Sequence, residues 1–178
     1  MLSKSHIISL SGALFVSACS SSQPSLKTVD HVDLERFMGD WYVIANIPTF
    51  VERGAHNAVE SYRLDTDGTV ATTFTFRKDS FDGPKKRYTP RGFVVDRQTN
   101  AQWEMQFIWP FKGDYRITYL AEDYSQTVIS RDKRDYVWVM AREPEITDSD
   151  YQRLVSHVRE SGYDIGLLQK VPQQWPEQ

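Results

Sequence analysis

The sequence contains a single cysteine, Cys19, among its 178 residues. A lone thiol can form neither an intrachain disulfide nor the cysteine cluster of a structural zinc site. The four histidines lack the spacing of metal ligands, and neither the HExxH nor the G-x-S-x-G pattern occurs. The sequence therefore predicts no metal site, no cofactor and no catalytic residue, and it does not indicate an enzyme.

An excess of charge of one sign is also absent. The chain has 21 basic and 24 acidic residues, a formal net charge of -3, which indicates no nucleic-acid partner. The mean hydropathy of -0.52 excludes a protein with several membrane-spanning helices. Hydrophobic residues make up 40% and aromatic residues 13% of the chain, enough for the core of one globular domain.

The longest apolar run lies at the N terminus. It follows Lys4, reads IISLSGALFV, and has the length of a signal-peptide core, too short for a permanent membrane helix. The next residues, Val16-Ser17-Ala18-Cys19, resemble the bacterial lipobox. The resemblance implies a lipoprotein signal peptide over residues 1–18 and lipidation of Cys19. A plain secretory signal that happens to contain a cysteine is the alternative.

The residues after the cysteine also bear on location. In lipoproteins a residue other than Asp at this point favours sorting to the outer membrane, and here it is Ser20. Residues 19–30 are polar and rich in serine, which predicts a flexible lipidated tether. The folded domain is predicted to cover residues 31–178.

Short β-rich runs occupy most of that domain. They are WYVIANI, AVESYRL, TVATTFTF, RGFVVD, QWEMQFIW, DYRITYLAE, QTVISR and DYVWVMAR. About eight strands with hairpin-length connections predict an all-β fold, either an antiparallel barrel or a sandwich. Period-two alternation then puts most of the large aromatic side chains on one face of each run.

One helix follows the last full strand. Thr147 is a good N-cap, and Gly162 is a good stop signal. Between them Tyr151, Leu154 and Val158 belong to an apolar stripe of helical period. This stripe predicts a helix packed on the outside of the sheet, and YDIGLLQKV predicts a short terminal strand.

Three motifs give the chain a family resemblance. Gly39-Asp40-Trp41-Tyr42 resembles the G-x-W-Y signature that begins the first strand of lipocalins. Glu122-Asp123-Tyr124 lies at a late turn, where that family has a T-D-Y-like motif, and VWVMAR ends in Arg142 like the family's last-strand motif. Further segments, among them WPFKGDYRI and YDIGLLQKV, resemble bacterial outer-membrane lipocalins related to apolipoprotein D.

The resemblance implies an eight-stranded antiparallel up-and-down β-barrel, closed at one end, with one C-terminal helix outside. It makes Gly39, Trp41, Asp123 and Arg142 a structural signature. Trp41 is expected at the closed end, with the Arg142 guanidinium across its indole, as cation–π attraction favours.

Strand alternation and the resemblance together predict an apolar ligand pocket inside the barrel. Its predicted ligand-binding residues are Tyr62, Phe74, Phe76, Met105, Phe107, Trp109, Tyr115 and Trp138. The same alternation puts Glu60 on the face of Tyr62, where an inward carboxyl would be a polar contact or the partner of a buried arginine. Cations from Arg77 to Arg87 are either a phosphate-binding rim or a solvated loop.

The predicted function is to bind, store or transport a fatty acid or lysophospholipid in the bacterial envelope. The resemblance implies a barrel that faces the periplasm and is tethered to the outer membrane by its N-terminal lipid. Both a monomer and a homodimer remain open. The alternative is a structural or assembly lipoprotein whose barrel interior is filled by its own side chains.

Overall fold

The computed structural model describes residues 24–176 of the chain. The predicted signal peptide, Cys19 and the first residues of the predicted tether lie outside the described residues. No helix among the residues that it describes is long and apolar enough to cross a membrane.

The described chain forms a β-structure with two α-helices. In chain order the elements are α1 Leu34–Phe37, β1 Gly39–Ile47, β2 Ala55–Leu64, β3 Thr69–Lys78, β4 Lys85–Tyr88, β5 Arg91–Val94, β6 Gln102–Ile108, β7 Phe111–Leu120, β8 Gln126–Ser130, β9 Val137–Ala141, α2 Asp148–Glu160 and β10 Gln169–Lys170. A 3₁₀ turn over Ile165–Leu167 precedes β10.

The strands form one closed antiparallel sheet. Strands β1, β2, β3, β5, β6, β7, β8 and β9 pair in this order, and β1 also pairs with β9, which closes the barrel. Because β4 and β5 both pair with β3, they share one position. The two-residue β10 only adds to the edge of β1, so the barrel has eight strand positions. The predicted eight-stranded barrel is confirmed.

The fourth strand position differs from the prediction, which had one strand at RGFVVD after a long loop. In the structure β3 continues to Lys78 and pairs with the additional strand β4. Pro90 interrupts the position between β4 and β5, since proline has no N–H to donate to a sheet. Its carbonyl still accepts a hydrogen bond from the Thr72 N–H at 3.1 Å.

Two hydrophobic cores result from this arrangement. The larger lies inside the barrel and includes Trp41, Trp103 and Ile117. The smaller lies outside, where the α2 stripe residues Leu154 and Val158 pack on the outer face of the barrel. Both faces of β9 are therefore buried. The predicted outer helix is confirmed, with Thr147 Oγ1 accepting from the Asp150 N–H at 3.1 Å, and so is the short terminal strand.

An up-and-down barrel gathers alternate connections at each end. We call the end with the β2–β3, β5–β6 and β7–β8 connections the base, and α1 packs there. The opposite end carries the connections over residues 48–54, 79–84, 109–110 and 131–136, and we call it the mouth.

Residues 24–33 form an ordered segment, the N-terminal strap, which runs along the outside of the barrel. The Leu26 N–H donates to Asp132 Oδ1 at 2.8 Å, and the Leu26 side chain is buried in the outer core. The Val29 N–H donates to the Ile117 carbonyl at 3.0 Å, and the Val32 N–H to the Thr99 carbonyl at 2.7 Å. Residues 24–30, predicted as the end of a flexible tether, instead lie along the barrel because these contacts fix them.

Candidate ligand-binding barrel

The base is built around Trp41. Its indole is fully buried, and its Nε1–H donates to the Phe37 carbonyl at 2.9 Å. The Arg142 guanidinium lies 3.8 Å from the centre of the indole. The same guanidinium donates to the carbonyls of Asp40 and Arg36 at 2.8 Å and of Phe37 at 3.1 Å. The predicted stacking of Arg142 on Trp41 is confirmed, and neither group is free to bind a ligand.

The other signature residues complete this end. Gly39 has a φ of +94°, which glycine adopts without strain, and a Cβ at this position would lie 3.3 Å from Arg142 Nη1. Asp123 Oδ1 accepts from the Ser125 hydroxyl at 2.6 Å and from the Ser125 N–H at 3.0 Å, and these hydrogen bonds hold the pKa of Asp123 below its ordinary value. Tyr124 Oη accepts from the Asp33 N–H at 2.8 Å. The hydrogen bond between Asp33 and Tyr124 therefore joins the start of α1 to the β7–β8 turn.

The barrel wall contains most of the predicted pocket residues. Tyr62, Phe74, Phe76, Met105 and Tyr115 are buried in the inner core, and Trp138 is half-buried beside it. In β3 the buried residues alternate as period two predicts, so the inward face of that strand is confirmed. Whether these side chains contact a ligand remains a prediction.

Phe107 and Trp109 are not inside the barrel, and this part of the prediction is wrong. Their exposed fractions are 54% and 82%. The pairing of β6 with β5 ends at Gln106, and the register with β7 shifts between Met105 and Ile108. Because the strand runs past its neighbour and turns, simple alternation no longer gives the direction of these side chains. Both residues lie at the mouth.

Aromatic rings fill the lower part of the barrel. Phe37 lies 5.0 Å from Trp41 and 5.5 Å from Trp103 between ring centres, and Trp103 stacks on Tyr115 at 5.3 Å. Tyr62 contacts the same group. Such spacings are those of packed aromatic pairs, so no ligand enters between these rings. A ligand inside the barrel therefore has to lie above them, toward the mouth.

A polar cluster lies on this aromatic floor. Tyr62 Oη donates to Glu60 Oε2, and the Tyr62 and Tyr115 hydroxyls are 2.7 Å apart. Burial raises the pKa of Glu60 to about 7, against the opposing effect of the Tyr62 hydrogen bond. Burial also raises the pKa values of both tyrosines. Glu60 is thus a polar contact of Tyr62, one of the two roles that its position on the strand predicts.

A second buried carboxylate lies near the mouth, and the sequence reasoning missed it. Glu52 Oε1 accepts from Trp138 Nε1–H at 2.7 Å, and Oε2 accepts from the Thr49 N–H at 2.8 Å. The contact joins the β1–β2 connection to the start of β9. No sequence motif indicates the Glu52–Trp138 contact. The two residues are far apart in sequence, and the β1–β2 connection has no regular hydrophobic period.

The cations of the predicted rim take different positions. Lys85, Lys86 and Arg87 lie on the exposed strand β4 and not in a loop. Arg77 lies on β3, where its Nη1 donates to the Gly83 carbonyl at 3.4 Å. The loop alternative is therefore wrong for most of these cations, which project from strands at the mouth, while phosphate binding stays a prediction.

Comparison with known proteins agrees with this architecture. The family model of the lipocalin-like domain matches residues 32–173. This chain is a lipocalin. It is 29% identical to temperature-induced lipocalin-1 of Arabidopsis thaliana over 165 residues, 86% of each chain. It is 28% identical to the outer membrane lipoprotein Blc of Citrobacter freundii over 164 residues, 91% of this chain and 92% of the relative.

Solved structures show the same fold at low sequence identity. Insecticyanin from the tobacco hornworm Manduca sexta superimposes with a TM-score of 0.68 at 12% identity, over 86% of this chain and 87% of that one. The relatives place the lipocalin with the bacterial Blc type. As a member of this family it is a binding protein for a hydrophobic ligand and not an enzyme.

Proposed function

We propose that this lipocalin binds a fatty acid or lysophospholipid, with the acyl chain in the upper part of the barrel. The observation that carries the proposal is the layered interior. Phe74, Phe76 and Met105 supply an apolar wall, and the Glu60, Tyr62 and Tyr115 cluster supplies polar groups at the floor.

The apolar wall accounts for the affinity. Burial of a methylene group contributes roughly 0.8 kcal/mol, so an acyl chain of about ten methylenes gains ~8 kcal/mol before the costs of association. No reactive group is needed for such binding. Trp138 packs at the mouth end of this wall, where its indole Nε1–H donates to Glu52 Oε1.

We further propose that Cys19 carries a lipid anchor and that the barrel lies in the periplasm at the outer membrane. Two observations support this: the lipobox-like Val16-Ser17-Ala18-Cys19 sequence and the similarity to the outer membrane lipoprotein Blc. A tether of this kind keeps the mouth within reach of lipid, which suits a carrier or storage protein.

The first test is native mass spectrometry of the full chain purified from its own membrane. The expected result is a co-purifying fatty acid or lysophospholipid, released on denaturation. Fatty-acid titration then locates the site: Trp138→Ala weakens binding about tenfold or more, as expected for loss of a large apolar contact. Trp175→Ala is the matched control, because Trp175 packs on Tyr42 at the outer face of the barrel.

The second candidate is a structural lipoprotein with a filled barrel, which the packed rings at the base favour. It predicts that neither lipid nor added fatty acid binds and that Trp138→Ala has no effect on any titration. Equal affinity in the Trp138→Ala and Trp175→Ala variants would remove Trp138 from the binding site.

A further inference from the structure

The hairpin at which β6 ends and β7 begins carries the most exposed apolar group among the residues that the structure describes. The side chains of Phe107, Ile108, Trp109 and Phe111 are 54%, 72%, 82% and 75% exposed. We call residues 107–111 the apolar tip. Phe50, 78% exposed, lies on another connection of the same end. Adjacent apolar side chains left in water typically mark a surface that contacts a protein or a membrane.

The two ends differ in the balance of their charges, although the mouth also carries acidic residues, such as Asp132 in its ion pair with Arg116. The exposed strand β4 brings Lys85, Lys86 and Arg87 to the mouth. The turns of the base carry Asp67, Asp96 and Asp123, whose pKa values are lowered mainly by hydrogen bonds within their own turns. An apolar tip beside cations suits the surface of an anionic bilayer, whose headgroups attract basic residues while the interface accepts aromatic rings.

The N-terminal strap leaves the barrel at the same end. Arg134 Nη2 donates to the Pro24 carbonyl at 2.8 Å, and Asp132 accepts from the Ser25 hydroxyl at 3.0 Å and the Leu26 N–H at 2.8 Å. Both Asp132 and Arg134 lie on the β8–β9 connection at the mouth. The chain toward Cys19 therefore departs from the mouth and not from the base.

The segment between Cys19 and Pro24 is short, so the position at which the strap ends bears on the orientation of the barrel relative to the membrane. The Asp132 N–H donates to Asp114 Oδ2 at 2.8 Å, which places the end of the strap beside Asp114 of β7. Along β7 the tip residue Phe111 is three residues away, about 10 Å, and the base residue Leu120 is six residues away, about 20 Å. Five residues from Cys19 to Pro24 span at most ~18 Å. Along β7 the strap thus ends about 10 Å closer to the tip than to Leu120, so a short tether from Cys19 favours an anchor at the mouth.

We propose that the mouth of the barrel is a membrane-docking surface: the apolar tip inserts into the interface of an anionic bilayer, and the strap holds the barrel in that orientation. The orientation of the barrel in this inference rests on the proposed anchor at Cys19, and the contact with the bilayer rests on the exposed apolar tip. It makes the barrel open directly onto the membrane, so that a lipid can pass between bilayer and pocket with little exposure to water.

Tryptophan fluorescence tests the contact. The full, membrane-extracted chain is reconstituted into vesicles of phosphatidylethanolamine and phosphatidylglycerol with brominated acyl chains, which quench indoles that contact lipid. The expected result is strong quenching that falls in Trp109→Phe. A brominated chain bound inside the barrel quenches Trp138 equally in both proteins, so the difference between them measures Trp109 alone. In the Trp109→Phe background Val95→Trp places an indole at an exposed position of the base, and it remains unquenched.

Paired variants test the tip. Ile108→Ser with Phe111→Ser lowers the quenching of Trp109 by about half or more, because the tip loses most of its apolar area. Val95→Ser, which removes an exposed apolar side chain from the base, leaves the quenching unchanged. Unquenched Trp109 on vesicle-bound protein overturns the proposal, and so does quenching at position 95.

Other outcomes separate this proposal from the proposed function. If the apolar tips of two copies cross-link and lipid does not quench Trp109, the tip is an interface between copies of the chain. This outcome overturns membrane docking. Mass spectrometry of the N-terminal peptide measures the acylation of Cys19 independently. An unacylated Cys19 would contradict the anchor and the orientation derived from it. Fatty-acid titration of the same protein still measures ligand binding by the barrel.

Discussion

The two ends of the barrel each carry a tryptophan, and the two side chains have opposite environments. Trp41 at the base is fully buried, hydrogen-bonded and covered by a guanidinium, whereas Trp109 at the mouth is 82% exposed. Trp41 lies near the start of β1, and Trp109 directly follows the end of β6. The difference lies in the neighbours: α1 and Arg142 close the base, while β6 extends beyond β5 at the mouth. Stability is therefore concentrated at one end, and the other end is left available for contacts.

The largest expected effect tests that division directly. Trp41→Ala removes a fully buried indole and the surface on which Arg142 packs, so the free energy of unfolding falls by about 3–5 kcal/mol. Trp109→Ala removes an exposed indole and changes stability by no more than about 0.5 kcal/mol. Urea denaturation of the two variants measures both values.

The division fails if the two variants unfold at similar urea concentrations. A stable Trp41→Ala protein would mean that α1 and the other rings of the base compensate for the cavity. A strongly destabilised Trp109→Ala protein would mean that the tip packs against the rest of the molecule in solution.

The base was predictable from sequence because its residues belong to short motifs of chemically specific residues. Gly39 and Trp41 lie two residues apart at the start of β1, and Arg142 directly follows β9. Each of the three has a role that few other residues can perform. The alternation in β3 was equally predictable, since that strand is paired along its whole length and period two holds throughout.

The mouth was predictable only in part, because its geometry depends on which strands extend beyond their neighbours. Alternation continued through Phe107 and Trp109 predicts inward rings, but the register shift after Met105 and the end of the pairing with β5 leave them in solvent. The Glu52–Trp138 contact joins positions distant in sequence and has no local pattern. The strap gave no signal either, because the serine-rich run that precedes it is typical of a flexible linker.

The second prediction concerns Glu60, between the two ends. Its pKa is raised to about 7 in the folded protein by burial, against 4.5 as the ordinary value. Between these values the unfolded chain holds fewer protons than the folded one. The free energy of unfolding therefore falls as pH rises from about 4.5 to 7, by up to ~3 kcal/mol from this group. Glu60→Gln, which cannot ionise, removes that loss.

The measurement is the difference between the wild-type and Glu60→Gln unfolding free energies across this pH range. The difference isolates Glu60, because His157, with its pKa lowered by burial, contributes equally to both proteins. Glu122→Gln, a substitution of an exposed glutamate on a turn of the base, is the control and should leave the curve unchanged. Parallel curves for wild type and Glu60→Gln would mean that Glu60 is ionised at low pH, which the buried position argues against.

The smallest expected effect compares a glycine at each end. Gly39 at the base and Gly54 at the mouth have φ values of +94° and +72°, so alanine strains both backbones. At Gly39 the added Cβ would lie 3.3 Å from Arg142 Nη1, a guanidinium held by three carbonyls. At Gly54 it would meet the Asp79 carboxylate, an exposed side chain that can move away. We expect Gly39→Ala to cost about 2 kcal/mol and Gly54→Ala about 1 kcal/mol. The shared backbone strain cancels in the comparison, so equal losses would show that Arg142 can shift without cost and that the base is less rigid than its hydrogen bonds indicate.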